Sequence, residues 1–168
     1  LGLSPSKIAV IHAGVAPFFC PAATQEEDRA ILRKLLPGLQ PDFLYTVLGE
    51  DPRKNLDGLL KAFNQLPGNL RAKYQLVIGG TYRNEAIEQV MARVPGRIRS
   101  RILFTKYVGD SGLRALYRNC ALFVFPSKYE GFGLPLAEAV ACGSPAVTAN
   151  ASSLPEIIDY PDATFDPH

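Results

Sequence analysis

Cysteine is scarce in this chain of 168 residues, and its placement excludes two kinds of protein. Cys20, Cys120 and Cys142 are odd in number, far apart and without a Cys-x-x-Cys pair. This spacing argues against a disulfide framework and against a structural zinc site, and it favours a reducing compartment such as the cytoplasm.

An excess of charge of one sign is also missing. Eighteen basic and sixteen acidic residues leave a formal net charge of only +2, which argues against a nucleic-acid-binding protein. The local exception is a cluster formed by Arg93, Arg97, Arg99 and Arg101. A solvated face is the favoured interpretation of this cluster, and contact with phosphate or lipid headgroups is the alternative.

Long hydrophobic runs are absent as well. No apolar run reaches the roughly 18 residues that would predict a membrane span, and no signal peptide is visible. The chain opens at Leu1 without a methionine, and Ser4-Pro-Ser-Lys7 leads straight into a strand-like run. We therefore expect a piece of a longer chain.

Hydrophobic residues, by contrast, make up 47% of the chain, which is enough to bury the core of one domain. Short runs rich in Val, Ile, Leu and Phe alternate with amphipathic stretches whose apolar stripes have helical spacing. Strands alternating with helices predict a Rossmann-like three-layer α/β sandwich, with a parallel sheet of about six strands and helices on both faces. The candidate strands cover residues 7–11, 43–48, 74–78, 101–105, 121–125 and 145–149.

Five helices have readable starts or stripes. Two of them are predicted by core stripes alone, one of Ala86, Ile87, Val90 and Met91 and one after Asp110 of Leu113, Leu116 and Tyr117. Thr24-Gln-Glu-Glu27 has the pattern of a capping box and predicts a helix to about Leu36. Asn55 is predicted to cap the next helix, whose apolar stripe begins at Leu56. Leu154, Ile157 and Ile158 predict a shorter helix near the end of the chain.

Ligands of such a sheet bind beyond the carboxyl ends of its strands, so the loops after the strands are the places to search. The loop after the fifth strand contains Glu130-Gly-Phe-Gly133 and leads into a helix that has Pro135 in its first turn. Glycines at this place let backbone N–H groups approach a ligand, and the positive end of the helix favours an anion such as a diphosphate. Glu130 and Glu138 border the same mouth, and two carboxylates suit sugar hydroxyls. The alternative is a pair of ordinary surface carboxylates.

The loop after the second strand contains Arg53 and Lys54 beside the start of a helix. Cations at this position oppose the helix dipole, so a bound anion would explain them better than helix stability does. A solvated turn is the alternative. If both loops lie on one sheet edge, they predict a single anion site.

Nearly the whole chain resembles the C-terminal domain of family 4 (group 1) retaining glycosyltransferases of the GT-B fold. The most specific stretch is Phe125-Pro-Ser-Lys-Tyr-Glu-Gly-Phe-Gly-Leu-Pro-Leu-Ala-Glu-Ala139. The weaker matches are Ile11-His-Ala-Gly-Val15, Pro52-Arg-Lys-Asn55, Leu76-Val-Ile-Gly79, Leu116-Tyr-Arg118, Ala141-Cys-Gly-Ser-Pro-Ala-Val147 and Ser153-Leu-Pro-Glu156. The resemblance implies that residues 1–15 are an interdomain linker with a first strand. Residues 7–168 would then be the nucleotide-sugar-binding domain.

The resemblance also implies roles for individual residues. Lys54 would stabilise the leaving diphosphate with Arg53 as its companion, and Glu130 would lie by the transferred sugar; these three form the catalytic set. Glu138 would hold the ribose hydroxyls. The remaining donor-binding residues would be Gly131, Phe132, Gly133 and Leu134 through their amides, and Tyr107 and Val108 near the base.

The same resemblance implies partners and a location. The donor would be a nucleoside-diphosphate hexose of mannose or glucose type, and Pro52-Arg-Lys-Asn55 leans toward GDP-mannose. The acceptor would be a glycan or a lipid-linked glycan, bound through an N-terminal domain that is not part of this chain. No cofactor and no metal are expected, since no Asp-x-Asp pair is present. The parent protein would be cytoplasmic, with a possible peripheral contact at the inner membrane face.

Two positions depart from the family pattern, and other functions remain open. Glu50 stands where many members carry arginine or threonine, and Lys106 stands where glycine is common. The alternatives are a non-catalytic nucleotide-sugar-binding module, a sugar phosphorylase and a nucleotide-sugar epimerase. A dinucleotide oxidoreductase is disfavoured because no Gly-x-Gly-x-x-Gly follows the first candidate strand.

Overall fold

The computed structural model describes residue 2 and residues 4–22 and 26–168. Thr24 and Gln25 of the predicted capping box lie outside the described residues, and the helix they introduce covers Glu26–Leu35. The helices are α1 (Glu26–Leu35), α2 (Leu56–Gln65), α3 (Gly68–Lys73), α4 (Asn84–Arg93), α5 (Gly96–Arg99), α6 (Asp110–Asn119) and α7 (Leu134–Ala141). The strands are β1 (Phe43–Val47), β2 (Gln75–Gly79), β3 (Ile102–Phe104), β4 (Leu122–Phe125), β5 (Ala146–Ala149) and β6 (Thr164–Phe165).

Across the described residues these strands form one parallel sheet of six, in the order β3-β2-β1-β4-β5-β6. The chain builds outward from β1 to the β3 edge, then returns to pair β4 with the other side of β1, where Tyr45 lies opposite Phe123. The strand order therefore reverses between β1 and β4, and ligands of such sheets bind at the loops that follow strands at a reversal of this kind. The predicted Rossmann-like class is confirmed.

Two layers of helices cover the sheet. Tyr45, Phe123 and Phe125 point to one face and pack with residues of α1, α6 and α7. Leu76 and Ile78 point to the other face and pack with residues of α2, α4 and α5. Full burial of each such side chain contributes about 1.5–3 kcal/mol, and the alternation of strand residues between two apolar layers explains the continuous hydrophobic runs in the sequence.

The predicted first strand at residues 7–11 is wrong. A single 3₁₀ turn covers Pro5–Lys7, and beyond it Ile8, Val10 and Ile11 are 59%, 79% and 91% exposed. An apolar run becomes a strand only where it pairs with a neighbour, and among the described residues no strand of the sheet pairs with this run. The sixth strand is instead β6, which is too short to show a pattern in the sequence.

Two helix predictions also need correction. Asn55 does not cap α2 with its side chain: it has left-handed backbone angles (φ 57°), and its Nδ2 donates to the carbonyl oxygen of Pro167 at 3.1 Å. Gly58 leaves room for this side chain, because a Cβ there would lie 2.5 Å from Asn55 Oδ1. The predicted helix near residue 154 is only the 3₁₀ turn Leu154–Glu156.

The arginine cluster is solvated, as predicted, at Arg93, Arg97 and Arg99, and its members also bond within the chain. Arg99 donates to the carbonyl of Val94 at 3.0 Å, just past the end of α4, and Arg97 donates to Oδ1 of Asn64 in α2 at 2.8 Å. Arg93 and Arg101 likewise bond within the chain, to Gln89 O and Gln40 Oε1. Cations suit helix C-termini, so helix capping accounts for part of this cluster.

Candidate functional site

The loops after β1 and β4 meet at the point where the strand order reverses. Lys54 in the first loop and Glu130 in the second form an ion pair, with 2.6 Å between Nζ and Oε1. The backbones are joined as well, because the N–H of Lys128 donates to the carbonyl of Arg53 at 2.8 Å and Ser127 Oγ donates to the same carbonyl at 3.3 Å. Two residues that lie 76 positions apart in the sequence are thus in direct contact.

This ion pair is largely shielded from water. The side chains of Lys54 and Glu130 are 26% and 13% exposed, and Lys54 Nζ lies 5.7 Å from the centroid of the Phe125 ring. Partial burial strengthens the attraction of each charge for its partner and for a ligand that replaces it. A diphosphate could take the ammonium group as its partner, and hydroxyl groups could donate to the released carboxylate.

Arg53 has a different partner. Its Nε and Nη2 donate to Asp51 Oδ2 at 3.0 and 2.6 Å, and its backbone N–H donates to Asp51 Oδ1 at 2.8 Å. These bonds hold the pKa of Asp51 below its ordinary value and raise the pKa of Arg53. Within the described residues Arg53 therefore points to Asp51 while Lys54 points to Glu130, so the two adjacent cations do not converge on one atom.

The glycine loop, residues 130–133, leads into α7, and the backbone conformation at one of its two glycines requires that residue type. Gly133 has φ 97°, and a Cβ there would lie 2.7 Å from Leu154 Cδ2, so both backbone and packing demand glycine. A Cβ at Gly131 would meet nothing within 4 Å. Leu134 begins α7 and is 43% exposed, and the positive end of this helix directly follows the loop that carries Glu130.

Glu138 lies in the same helix, above two buried tyrosines. The hydroxyl group of Tyr117 donates to Glu138 Oε2 at 3.1 Å, and the rings of Tyr117 and Tyr45 have centroids 5.6 Å apart. Partial burial raises the pKa of Glu138, and the bond from Tyr117 offsets part of this rise. Sequence reasoning assigned Tyr117 only to a core stripe, and its place in the matching Leu116-Tyr-Arg118 stretch was the available signal.

The residues that the family resemblance places near the base follow β3. Tyr107 is 82% exposed, whereas Val108 is half-buried and would contact a Cβ placed at Gly112 at 3.4 Å. Lys106 is exposed. These residues lie at the same edge of the sheet as the ion pair, with β2 and β1 between β3 and β4.

The structure shows the role of Glu50, where the chain departs from the family pattern. Glu50 accepts from the backbone N–H of Arg83 at 2.8 Å and from its Nη2 at 2.8 Å. The loop after β1 is thereby tied to the loop after β2, and the bonds from Arg83 hold the pKa of Glu50 below its ordinary value. Glu50 thus acts as a link between neighbouring loops.

Two serines of the loop after β5 also touch the glycine loop, and sequence reasoning did not assign them to the site. Ser152 Oγ accepts from the N–H of Glu130 at 2.9 Å. Ser153 Oγ donates in a shared bond to the carbonyls of Glu130 and Phe132, at 3.2 and 3.0 Å. The half-buried Phe132 thus has its backbone anchored from the neighbouring loop.

A groove of about 1020 Å³ lies next to this region rather than on it. It is lined by Gly49 to Pro52 and Asn55 of the loop after β1 and by Pro126 and Lys128 of the loop after β4. It then runs between α2 and α4, and Lys54, Glu130 and Glu138 do not line it. We assign the candidate site to the ion pair, because the charges of two loops converge there.

No group of three or more His, Cys, Asp or Glu side chains within the described ranges could hold a metal ion. In that same part of the chain no helix is long and apolar enough to cross a membrane.

Parallel α/β topology, a charged pair at the strand-order reversal and a helix N-terminus just after the glycine loop define a Rossmann-like domain with a candidate anion-binding site. The model of the family "Glycosyl transferases group 1" matches residues 28–162, and the chain belongs to this family.

Two curated relatives and one solved structure show where the similarity lies. The serotype-specific mannosyltransferase WbdA of Escherichia coli is 41% identical over 132 residues, which are 77% of this chain and 16% of WbdA. The O-antigen chain mannosyltransferase B of E. coli is 40% identical over 120 residues, 70% of this chain and 31% of that protein. The sucrose-phosphate synthase of Thermosynechococcus elongatus superposes with a TM-score of 0.69 at 28% identity, covering 90% of this chain and 37% of the synthase. The chain thus spans less than a third of both mannosyltransferases.

Proposed function

We propose that this chain is the donor-binding C-terminal half of a family 4 retaining glycosyltransferase of the GT-B fold. It would take part in moving a hexose from a nucleoside-diphosphate sugar to a glycan or a lipid-linked acceptor. The observation that carries the proposal is the contact between Lys54 and Glu130 where the strand order reverses, with Glu138 on the helix that starts beside it. A cation and a helix N-terminus suit the diphosphate of a nucleotide sugar, and carboxylates suit its hydroxyl groups.

The donor is proposed to be GDP-mannose. Pro52-Arg-Lys-Asn55 supports this choice, and so do the mannosyltransferase names of the two relatives at 41% and 40% identity. Glu138 would accept hydrogen bonds from the ribose hydroxyls, and Tyr107 and Val108 would border the base. The backbone amides of residues 131–134 would contact the sugar and the diphosphate. No metal is assigned to the donor.

The proposed mechanism is electrostatic. When the bond between the anomeric carbon and the phosphate oxygen breaks, negative charge grows on the diphosphate and positive charge on the sugar. Lys54 and the N-terminus of α7 would stabilise the former, and the carboxylate of Glu130 would orient the sugar and ease the latter. Arg53 would assist Lys54 only after leaving Asp51. The acceptor site and the other wall of the cleft are proposed to lie in an N-terminal domain.

The proposal is tested by comparing the turnover of the wild type with that of Lys54→Ala in the intact protein, meaning this domain together with the proposed N-terminal domain. We expect a loss of about 10²–10³-fold in kcat with GDP-mannose, as for removal of one electrostatic stabiliser in other enzymes. Lys61→Ala, on the exposed side of α2, is the matched control and should retain full activity. Near-intact turnover of Lys54→Ala would remove Lys54 from the mechanism. Binding of GDP-, UDP- or ADP-sugars without turnover by the wild type would favour a non-catalytic binding module.

A further inference from the structure

The loop after β5 holds the glycine loop through consecutive residues. Ser152 and Ser153 bond to the backbone of Glu130 and Phe132, and Leu154 occupies the space that a Cβ at Gly133 would need. The glycine loop therefore rests on the neighbouring loop at Glu130, Phe132 and Gly133. Both serines use their hydroxyl groups on the backbone of this loop, whereas Lys54 bonds to the Glu130 side chain.

Ser152 adopts a backbone conformation that is unfavourable for a side chain. Its φ of 49° lies in the left-handed region, which costs a non-glycine residue free energy that glycine would not lose. In this conformation its Oγ accepts the N–H of Glu130 at 2.9 Å. Strain held at a contact with the site indicates that the hydroxyl group has a function there.

Ser153 restrains the carbonyls on either side of Gly131. A shared hydrogen bond to Glu130 O and Phe132 O sets the orientation of both peptide groups. The direction of the Glu130 side chain, and of the amides that follow it, depends on these peptide planes. Ser152 fixes the N–H side of Glu130 and Ser153 fixes its C=O side.

We propose that Ser152 and Ser153 are positioning residues for the donor site, which hold the backbone of Glu130 to Phe132 so that the Glu130 carboxylate and the loop amides meet the sugar. This inference rests on the proposed function. The side-chain hydrogen bonds of both serines go to the backbone of the glycine loop, so we expect them to act through that loop rather than directly on the donor. Their removal should therefore reduce catalysis more than it reduces nucleotide binding.

The decisive experiment compares Ser152→Ala with Ser152→Gly in the intact protein. Both variants lose Oγ, but only Ser152→Gly relieves the left-handed strain. We expect kcat with GDP-mannose to fall about tenfold in both, whereas the Kd for GDP changes less than twofold and Ser152→Gly melts within about 2 °C of the wild type. Full activity of Ser152→Gly would show that position 152 acts only through its backbone and would overturn the proposal.

Ser153 offers a rescue test. Ser153→Ala should lose activity to a similar extent, and Ser153→Thr should recover it because the hydroxyl donor is retained. Ser100→Ala, an exposed serine before β3 at the other end of the strands, is the matched control. Equal loss in the alanine and threonine variants would contradict the positioning role.

Amide hydrogen exchange separates failure of this inference from failure of the proposed function. In Ser152→Gly and Ser152→Ala the amide of Glu130 should exchange about tenfold faster than in the wild type, with or without GDP-mannose. If exchange is faster in the variants but the wild type transfers no sugar, the positioning role of the serines stands and the proposed function is overturned. If the Glu130 amide exchanges at the wild-type rate in both variants, the positioning role is overturned, whatever their transfer activity.

Discussion

Replacing Lys54 and Glu130 singly and together measures the ion pair at the centre of the candidate site. Lys54→Met and Glu130→Gln keep the approximate shape of each side chain and remove its charge. Because the two side chains are 26% and 13% exposed, each single variant leaves a poorly hydrated charge without its partner. We expect both single variants to be less stable than the wild type and the double variant to lose less than the sum.

The magnitude follows from the geometry. At 2.6 Å and an effective dielectric constant of about 20, the attraction between the charges is about 6 kcal/mol. Desolvation of the two ions, which costs several kcal/mol even after relaxation, cancels most of it. A coupling energy of about 1–3 kcal/mol should remain.

Urea unfolding of the four proteins, analysed as a double-mutant cycle, gives this coupling energy. Titration with GDP adds a functional test, because Glu130→Gln frees Lys54 for the diphosphate and should tighten GDP binding about threefold to tenfold. The same variant should lose most of its turnover with GDP-mannose. Single-variant losses that add within about 0.5 kcal/mol would refute the coupling. Weaker GDP binding by Glu130→Gln would refute the view that Glu130 competes for Lys54.

Three further predictions follow from local geometry. Gly133→Ala should lower the free energy of unfolding by about 2–4 kcal/mol in urea titration, because φ is 97° and Leu154 Cδ2 lies 2.7 Å from the new Cβ, whereas Gly131→Ala should be neutral. The folded state raises the pKa of Glu138, so the charged carboxylate is less favourable in the folded chain than in the unfolded one. The contribution of Glu138 to the free energy of unfolding is therefore present at low pH and is lost as pH rises through the raised pKa. GDP binding, which needs the carboxylate, should follow the opposite trend and weaken on acidification at a higher pH than an ordinary glutamate would produce, and Glu138→Gln should abolish both dependences. A maleimide should label Cys20 rapidly at neutral pH while Cys120 and Cys142 react only on unfolding, because both are buried and burial raises their pKa to about 12 and about 11. Rapid labelling of a second thiol in the native protein would contradict this burial.

The fold was predictable because its signals are local. Five of the six candidate strands appear within one or two residues of their predicted bounds, since runs buried on both faces are continuous in the sequence. The strand prediction for residues 7–11 failed because a strand needs a neighbouring strand to pair with, and hydrophobicity alone does not supply one. β6, with two residues, and the short helices α3 and α5 carry too few residues for a periodic pattern.

The site was predictable in part. Lys54, Glu130 and Glu138 follow from residue type and from their position after strands, and parallel topology brings such loops to one edge. Three contacts could not be predicted from the sequence: the ion pair of Arg53 with Asp51, the hydrogen bond from Tyr117 to Glu138, and the hydrogen bond from the Glu130 N–H to Ser152. Each depends on a side-chain direction or a backbone angle that neighbouring packing selects.

The sequence by itself determined the alternation of strands and helices, the glycine turn before α7 and the charges available at the sheet edge. These are properties of residue type and spacing, which act over a few positions. Only the tertiary structure decided which charges meet. The strand order places β4 beside β1, so that Lys54 contacts Glu130 across 76 positions while its neighbour Arg53 turns to Asp51. Strand order and side-chain direction result from the packing of the whole chain, and this is why the ion pair emerges only in the folded domain.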